Sequence, residues 1–377
     1  MGQLYKLDDS WREVKTIIPF GYGRVGKRTL PTLQQMFSIP FVIDNNPKCV
    51  QNHQVEIHDL KTALSKRNNE KIVVLTVGRI YTKIKEELEE NGLEEYIDFC
   101  LLERFFSEWH IRYQKKCYLS KLDTVITSRC SLSCSHCAMF TNYSKHQQDI
   151  TFSALKENFD ILFSAVDYVL EYTLLGGEPL LHKEIKNIIT YLGREYINRI
   201  GRIVLISNGN VDVSEELLDV MREYKIVLAI SDYTSVYGYE RRLTSLTEQL
   251  SKKEISYYFN NEMEWKDHGY PLNPVDIPDE RCREHMIACG HTAHSVNFGK
   301  LYYCDPMFGA EYNVDFDTKN NDVLDLKELI NSYDAYSIKE RIIRYCWGEI
   351  NDKGYPSLCK YCGGMGWDNE KVISAGT

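Results

Sequence analysis

The sequence predicts an α/β protein built from parallel strands that alternate with helices. From Leu119 to about residue 260, short apolar runs typical of buried strands alternate with helical segments at regular spacing. The first 116 residues show the same alternation over a shorter length. The last hundred residues depart from it and contain six of the twelve cysteines. These observations predict three domains, at residues 1–116, 117–275 and 276–377.

The N-terminal domain begins with a predicted strand from Val14 to Phe20. A G-x-G-x-x-G loop from Gly21 to Gly26 follows, then a helix from about Lys27 to Met36 and a strand that ends at Asp44. This order matches the fingerprint of dinucleotide-binding domains, in which loop amides hold a phosphate and the acid binds a ribose hydroxyl. Two interpretations stay open: the domain binds a nucleotide or nucleotide sugar, or it is a scaffold that binds neither.

The same domain resembles the short Rossmann-like domains attached to glycan-biosynthesis enzymes, through the segment Ile-Asp-Asn-Asn-Pro from Ile43 to Pro47. A strand from Lys71 to Val77 and a helix from about Tyr81 to Glu90 continue it. A helix from Phe105 to Lys116 is expected to link it to the second domain.

The second domain is predicted from five strands, near residues 122–126, 170–175, 202–206, 226–230 and 255–259. Its helices are predicted near residues 152–165, 182–195, 214–224 and 238–252. Parallel strands bring their C-terminal ends to one edge, where barrel enzymes build their active sites. Polar motifs follow several of these strands, so we expect the functional site at this edge.

Cys130, Cys134 and Cys137 lie in one short loop that follows the first of these strands. Thiolates are the ligands of iron–sulfur clusters, and a cubane cluster has four irons. Three protein ligands leave the fourth iron open, so a small chelating molecule can bind it. A zinc site usually groups its thiols as two separated pairs, and buried structural cysteines would not cluster in this way.

This spacing resembles the signature of the radical S-adenosylmethionine (radical SAM) superfamily. There the open iron binds the amino and carboxylate groups of S-adenosylmethionine, and an electron from the [4Fe-4S] cluster produces a 5′-deoxyadenosyl radical that abstracts hydrogen from the substrate. The resemblance implies a partial (β/α)6 barrel and a flavodoxin- or ferredoxin-type electron donor. The cofactor contacts that it implies are His136 near the adenine, Gly176, Gly177 and Glu178 of a Gly-Gly-Glu-Pro motif at the methionine ammonium, Ser207 and Asn208 of a Ser-Asn-Gly motif at the ribose and carboxylate, and Ser231 and Asp232 after the fourth strand.

Residues 260–280 are polar and contain several aromatic side chains. A solvated linker is one interpretation of this composition. A loop that contacts the substrate is the other, because loops at the C-terminal ends of strands often carry function. Trp265 and His268 would then be the contacts.

A second set of cysteines, Cys289, Cys304, Cys359 and Cys362, follows the pattern C-x9-G-x4-C and then C-x2-C. The pattern resembles the auxiliary-cluster domains called SPASM and Twitch. Because no cysteine follows Cys362 in this sequence, the shorter Twitch type with one auxiliary [4Fe-4S] cluster is expected. A tetrahedral zinc site on the same four thiols is the structural alternative.

Two further thiols, Cys282 and Cys346, lie near this set without matching its spacing. Cys282 could replace one of the four ligands. Alternatively, either thiol could donate a hydrogen atom to a substrate radical, which would make the enzyme an epimerase, or could simply be buried. Because neither belongs to a motif associated with hydrogen donation, we expect net oxidation of the substrate.

The composition excludes several classes of partner. A net charge of −9, from 45 basic and 54 acidic residues, disfavours nucleic acid as the main partner. No apolar stretch reaches the length of a membrane span, and acidic residues near the N-terminus disfavour a signal peptide. A cytoplasmic protein without a membrane partner is expected.

The function implied is therefore that of a radical SAM oxidoreductase, a dehydrogenase or epimerase. Its substrate is expected to be a small molecule, a sugar or nucleotide sugar of glycan or secondary-metabolite biosynthesis, because a Rossmann-like domain stands where peptide-modifying relatives usually carry a winged-helix domain. The alternative is maturation of a peptide or protein recognised by a separate partner. A non-catalytic iron–sulfur or zinc scaffold is disfavoured by the intact cysteine triplet and by Glu178.

Overall fold

The computed structural model describes residues 5–46, 55–76, 78–260, 264–290, 293–318 and 321–376. Pro47 and Val77, which end two predicted segments, and residues 261–263 of the predicted loop lie outside these ranges. The chain divides into two compact units, Met1–Ser120 and Lys121–Thr377. The division predicted near residue 276 falls inside the second unit and remains a prediction.

The first unit contains a five-stranded sheet in the order β3-β2-β1-β4-β5, and all of its neighbouring strands are parallel. This order is typical of doubly wound α/β sheets. Ile18 and Ile72 of the central strands pack with Leu88 in its core. The strands are β1 Ile17–Phe20, β2 Val42–Ile43, β3 Ile57–His58, β4 Lys71–Val74 and β5 Phe99–Leu101. The helices are α1 Arg24–Met36, α2 Leu60–Lys66, α3 Gly78–Glu90 and α4 Leu102–Trp109, with a 3-10 turn at Asp9–Trp11 and a π-helical turn at His110–Gln114.

The glycine-rich loop connects β1 to α1. A Cβ atom at Gly26 would lie 1.9 Å from the carbonyl oxygen of Gly21, so only glycine fits there. The carboxylate of Asp44 accepts hydrogen bonds from the backbone N–H groups of Tyr22 at 2.6 Å and Asn46 at 2.8 Å. Asp44 therefore fixes the loop conformation, and its contact with a ribose remains a prediction.

The second unit contains an eight-stranded sheet in the order β10-β9-β8-β7-β6-β12-β13-β14 and a two-stranded sheet of β11 and β15. The strands are β6 Tyr118–Thr127, β7 Tyr168–Gly176, β8 Ile200–Ser207, β9 Val227–Ser231, β10 Tyr257–Asn260, β11 Glu264–Lys266, β12 His294–Asn297, β13 Lys300–Tyr302, β14 Leu324–Asp325 and β15 Val372–Ser374. The helices are α5 Phe152–Ala165, α6 Ile185–Tyr196, α7 Glu215–Glu223, α8 Thr234–Tyr237, α9 Glu240–Lys252, α10 Asp279–Cys289, α11 Asp305–Val314, α12 Leu326–Ser332 and α13 Ala335–Cys346, with 3-10 turns at Thr141–Tyr143, Pro179–Leu181, Ile197–Arg199 and Ser357–Lys360.

Strands β7 to β10 pair in parallel, and β12 joins the sheet parallel to β6. The five strands predicted between residues 122 and 259 are all present, with helices between them. Between Cys289 and Cys304, the antiparallel strands β12 and β13 form a hairpin. The mixed α/β fold with a parallel sheet is therefore confirmed, while closure into a partial barrel remains a prediction.

Within the part of the chain that the structure describes, no helix combines the length and the apolar character needed to cross a membrane.

Candidate active site

The cysteine loop after β6 and the C-terminal ends of β7, β8 and β9 line one cavity of about 300 Å³, which we call the main cavity. This volume is at the lower end of the range for small-molecule sites. The lining includes Trp265 and His268 of the loop that follows β10. The lining residues among the cofactor and metal contacts implied by the sequence are Cys130, Cys134, Cys137, Gly176, Gly177, Ser207, Asn208 and Ser231. Four separate strand ends thus meet at one place.

Each thiol of the triplet has a polar group within hydrogen-bond distance of its sulfur. Such groups stabilise negative charge on a thiolate, whereas burial is the main cause that raises the pKa of the Cys130 thiol to about 12. The pairs are Asn208 Nδ2 with Cys130 at 3.7 Å, the Tyr237 hydroxyl with Cys134 at 3.5 Å and the Thr141 hydroxyl with Cys137 at 3.5 Å. These polar groups would stabilise the sulfurs as thiolates, and their role as cluster ligands remains a prediction.

Two main-chain hydrogen bonds hold the end of β7 against the start of the cysteine loop. The N–H of Gly177 donates to the carbonyl of Thr127 at 2.9 Å, and the N–H of Glu178 donates to the carbonyl of Arg129 at 2.7 Å. Only glycine fits at positions 176 and 177. A Cβ at Gly176 would lie 2.1 Å from the Thr127 oxygen, and one at Gly177 would lie 2.2 Å from the Arg129 oxygen.

Glu178 is fully buried and does not line the main cavity. Its carboxylate accepts hydrogen bonds from the backbone N–H groups of Leu180 at 3.0 Å and Asn208 at 2.7 Å. Burial raises the pKa of this carboxyl to about 7. Glu178 therefore ties the end of β7 to the end of β8 and orients Asn208, and its contact with the methionine ammonium remains a prediction.

His136 and Asp232 lie outside the lining of the main cavity. Nδ1 of His136 is 3.3 Å from the Asp267 carboxylate, and the residue lines an adjoining cavity of about 140 Å³. The exposed carboxylate of Asp232 accepts a hydrogen bond from the N–H of Thr234 at 2.9 Å. Their roles in cofactor binding remain predictions.

Cys289, Cys304, Cys359 and Cys362 line a second, smaller cavity of about 40 Å³, which we call the auxiliary cavity. Backbone N–H groups point at two of the sulfurs: Gly364 N is 3.4 Å from Cys362 Sγ, and Met365 N is 3.3 Å from Cys289 Sγ. Burial raises the pKa of the Cys362 thiol to about 12. Among the described residues, no group of three or more His, Cys, Asp or Glu side chains is arranged to hold a single metal ion. The four thiols surround a cavity instead of converging on a point.

Neither Cys282 nor Cys346 lines the main or the auxiliary cavity. Cys282 is fully buried among Met286 and Tyr355, and its thiol donates to the carbonyl of Ile277 at 3.4 Å. Burial raises the pKa of both thiols. Their predicted catalytic role therefore has no support from the cavity geometry and remains a prediction.

Several residues of the main cavity were missed by sequence reasoning, among them Tyr233, Asp305 and Met365. Asp305 directly follows Cys304, and that position was the signal that could have identified it. One oxygen of its buried carboxylate has no hydrogen-bond partner among the described residues. Burial and the neighbouring Asp123 carboxylate raise the pKa of Asp305 well above its usual value. Tyr233 and Met365 carry no comparable sequence signal.

The sequence of the second unit is similar to a known family. Residues 124–232 match the radical SAM superfamily. This match includes the cysteine triplet and the ends of β7, β8 and β9. The match supports a radical SAM domain, and that family implies a [4Fe-4S] cluster and S-adenosylmethionine as cofactors. No curated protein matches the sequence.

Three solved structures illustrate what the chain is similar to. BtrN in complex with AdoMet and 2-DOIA is 19% identical over 68% of this chain and 99% of BtrN, with a TM-score of 0.40. anSMEcpe with bound AdoMet and the Cp18Cys peptide is 16% identical over 38% of this chain and 42% of its own, with a TM-score of 0.30. Streptococcus suis SuiB bound to precursor peptide SuiA is 14% identical over 76% of this chain and 84% of its own, with a TM-score of 0.30. The chain thus spans less than half of anSMEcpe, and TM-scores of 0.40 and below establish no shared substrate.

The triplet fits the iron–sulfur cluster that the radical SAM family implies, and the second set of thiols has the chemistry to hold a further cluster. The ligands are all cysteines, they surround cavities, and N–H or O–H groups lie near their sulfurs. The triplet supplies three ligands and leaves room for a further ligand in the main cavity. The second set supplies four, which would complete the ligation of an auxiliary cluster.

Anaerobically reconstituted protein is expected to contain about eight irons, because two cubane clusters carry four each. The combined change Cys130→Ala, Cys134→Ala and Cys137→Ala should leave about four irons, held by the second set of thiols. Elemental analysis measures both values, and Cys282→Ala serves as a control that should keep all of the iron. Zinc in place of the remaining iron would contradict the auxiliary-cluster assignment.

Proposed function

We propose that the protein is a radical SAM enzyme that cleaves S-adenosylmethionine reductively and abstracts a hydrogen atom from a small-molecule substrate. The observation that carries this proposal is the main cavity, where three thiols meet the C-terminal ends of three further strands. When bound, the cluster and S-adenosylmethionine would supply an electron and a 5′-deoxyadenosyl radical. The protein contributes the ligands, the cofactor contacts and the walls that exclude water.

The main-chain groups around Gly176 and Gly177 are the proposed contacts of the methionine ammonium. They line the main cavity and carry no side chain that would obstruct it. Ser207, Asn208 and Ser231 offer polar side chains at the neighbouring strand ends for the ribose and carboxylate. Glu178 supports them from behind, because it accepts the hydrogen bond from the Asn208 backbone.

The four thiols of the auxiliary cavity are proposed to bind one auxiliary [4Fe-4S] cluster that accepts the second electron from the substrate. Its position supports this role, because His268, Pro306 and Met365 line both cavities. A substrate in the main cavity would thus be separated from the auxiliary cavity by a wall one side chain thick. This short separation favours electron transfer from substrate to protein.

Net oxidation is proposed over epimerisation. An epimerase needs a thiol that can reach the substrate radical, and neither Cys282 nor Cys346 lines the main cavity. The substrate is proposed to be a sugar or nucleotide sugar. The parallel sheet and glycine-rich loop of the first unit support a carbohydrate or nucleotide context, as the resemblance of that unit to domains of glycan-biosynthesis enzymes implies.

Anaerobic incubation with candidate nucleotide sugars in deuterium oxide tests the proposed direction of the reaction. Oxidation should give a product lighter than the substrate by two hydrogen atoms, without deuterium at the reacting carbon, because no exchangeable thiol returns a hydrogen atom. Mass spectrometry measures both the loss of two hydrogen atoms and the deuterium content of the product. A product of unchanged oxidation level that carries one deuterium, and that disappears in Cys282→Ala or Cys346→Ala, would show epimerisation instead. Modification of a precursor peptide in place of a sugar would favour the peptide alternative.

A further inference from the structure

His268 lies in the wall between the two cavities. Among the residues that the structure describes, three line both the main and the auxiliary cavity: His268, Pro306 and Met365. Of these only His268 carries a nitrogen or oxygen atom in its side chain, and it is 8% exposed. Its imidazole ring can therefore connect the two cavities by hydrogen bonds.

The ring contacts a thiol of the auxiliary cavity directly. Nδ1 of His268 is 3.5 Å from Sγ of Cys362. Among the described residues, Nε2 of His268 has no hydrogen-bond partner. His285, which also lines the auxiliary cavity, differs in this respect. Its Nδ1 is 2.6 Å from the Asp368 carboxylate and its Nε2 is 2.8 Å from the Cys362 carbonyl, so both of its nitrogens are engaged away from sulfur.

The ionisation state of a cluster-bound cysteine determines the direction of the hydrogen bond between His268 and Cys362. A cysteine bound to a cluster is a thiolate, which has no proton and can only accept. Nδ1 must then carry the hydrogen. In a neutral imidazole the other nitrogen, Nε2, is left with a lone pair and acts as an acceptor.

We propose that His268 is a positioning residue that donates its Nδ1 hydrogen to the Cys362 thiolate and thereby presents Nε2 as a hydrogen-bond acceptor to the substrate. This inference rests on the proposed function, because it requires a cluster in the auxiliary cavity and a substrate in the main cavity. It names a feature of the substrate: a hydroxyl or amino group, which can donate, lies toward the auxiliary side. An ether or carbonyl oxygen at that place would leave Nε2 without a partner.

The hydrogen bond also raises the reduction potential of the auxiliary cluster. A donor at a ligand sulfur stabilises the reduced cluster more than the oxidised one, because the reduced cluster carries more negative charge. Loss of the donor should therefore make the auxiliary cluster harder to reduce. If His268 acted only through packing, the reduction potential would not depend on which of its two nitrogen positions a variant retains.

Three variants separate these possibilities in the background Cys130→Ala, Cys134→Ala and Cys137→Ala, which leaves only the auxiliary cluster. His268→Asn keeps an N–H near the position of Nδ1, whereas His268→Gln keeps one near Nε2 and His268→Ala keeps neither. Midpoint potentials are measured by redox titration followed by electron paramagnetic resonance. The potential of His268→Asn should be close to that of the background with His268 retained, and the potentials of His268→Gln and His268→Ala should be lower. His146→Gln, at an exposed histidine outside the lining of both cavities, is the control expected to leave the potential unchanged.

Electron–nuclear double resonance provides a second measurement on the same samples. The N–H groups of Gly364 and Met365 should give exchangeable proton couplings in every sample. One further exchangeable proton coupled to the reduced cluster should be present with His268 and with His268→Asn, and absent with His268→Gln. Midpoint potentials that are unchanged in all three variants would overturn the inference. A decrease in His268→Asn as large as that in His268→Gln and His268→Ala would also overturn it. So would the absence of iron from this background. Because none of these samples can cleave S-adenosylmethionine, failure of the proposed enzymatic function would be detected separately, in the cleavage assay of the unmodified protein.

Discussion

Replacement of Cys134 by Ala is expected to reduce the formation of 5′-deoxyadenosine from S-adenosylmethionine by more than 100-fold. Cys134 lines the main cavity together with Cys130 and Cys137, and a cubane cluster held by only two of them has lost a direct ligand. Changes to groups that merely support a metal ligand typically cost about 10- to 100-fold in affinity or activity, so loss of the ligand itself should cost more. Anaerobic assays with a low-potential reductant and chromatographic detection of 5′-deoxyadenosine measure the effect.

Ser133 provides a matched control in the same loop, because it is adjacent to Cys134 in sequence and its side chain is exposed. Ser133→Ala should keep the rate of the unmodified protein. Tyr237→Phe removes only the hydroxyl group that lies 3.5 Å from the Cys134 sulfur. Its rate of 5′-deoxyadenosine formation should therefore lie between the rates of Cys134→Ala and Ser133→Ala. A Cys134→Ala variant that still forms 5′-deoxyadenosine at the original rate would contradict the radical SAM proposal.

The regular elements of the second unit could be predicted because local signals agree with the tertiary structure. The helix predicted at residues 152–165 is present with the same bounds, Phe152–Ala165. Thr151 precedes it, and its hydroxyl accepts a hydrogen bond from the N–H of Ala154 at 3.3 Å. In the first unit, by contrast, β3 and β5 contain two and three residues. Segments this short carry no periodicity, and sequence reasoning missed both. The equally short β2 was predicted because it belongs to the glycine fingerprint that ends at Asp44.

The cavity lining could be predicted where a motif follows a strand, and much less well elsewhere. The cysteine triplet, the two glycines and Asn208 were identified because parallel strands bring their C-terminal ends together. Tyr237 reaches Cys134 across 103 positions of sequence, from a helix of four residues. Met365 comes from a segment without regular secondary structure. Such contacts depend on tertiary packing that no local pattern records.

The hydrogen-bond partners of a side chain within a motif could not be predicted. The resemblance implies a contact between Glu178 and the methionine ammonium, which remains a prediction, and the structure adds that the carboxylate accepts hydrogen bonds from the backbone N–H groups of Leu180 and Asn208. The spacing of a motif determines where its backbone lies. Which way a side chain points depends on which unpaired donors are nearby, and those donors come from a different strand.

The change Gly177→Ala is expected to lower the affinity for S-adenosylmethionine by about 100-fold, the cost that a displacement of roughly 1 Å at a reacting centre can reach. A Cβ atom at this position would lie 2.2 Å from the carbonyl oxygen of Arg129, which is part of the backbone that leads into the cysteine loop. That carbonyl cannot withdraw freely, because it accepts the hydrogen bond from the N–H of Glu178 at 2.7 Å. The loop and the end of β7 must therefore separate, at a cost of about 1–3 kcal/mol in the free energy of unfolding.

Gly23→Ala is the matched control, because a Cβ there would meet no atom within 4 Å and the residue has an ordinary φ of −72°. Gly23→Ala should leave the iron content and the affinity for S-adenosylmethionine unchanged, whereas Gly177→Ala should reduce both. Equilibrium dialysis of the reconstituted proteins measures the affinity, and thermal unfolding measures the stability. If Gly177→Ala retained full iron content, cofactor affinity and thermal stability, the close approach of β7 to the cysteine loop would not be what organises the site. The paired glycines would then require another explanation than the lack of space for a side chain.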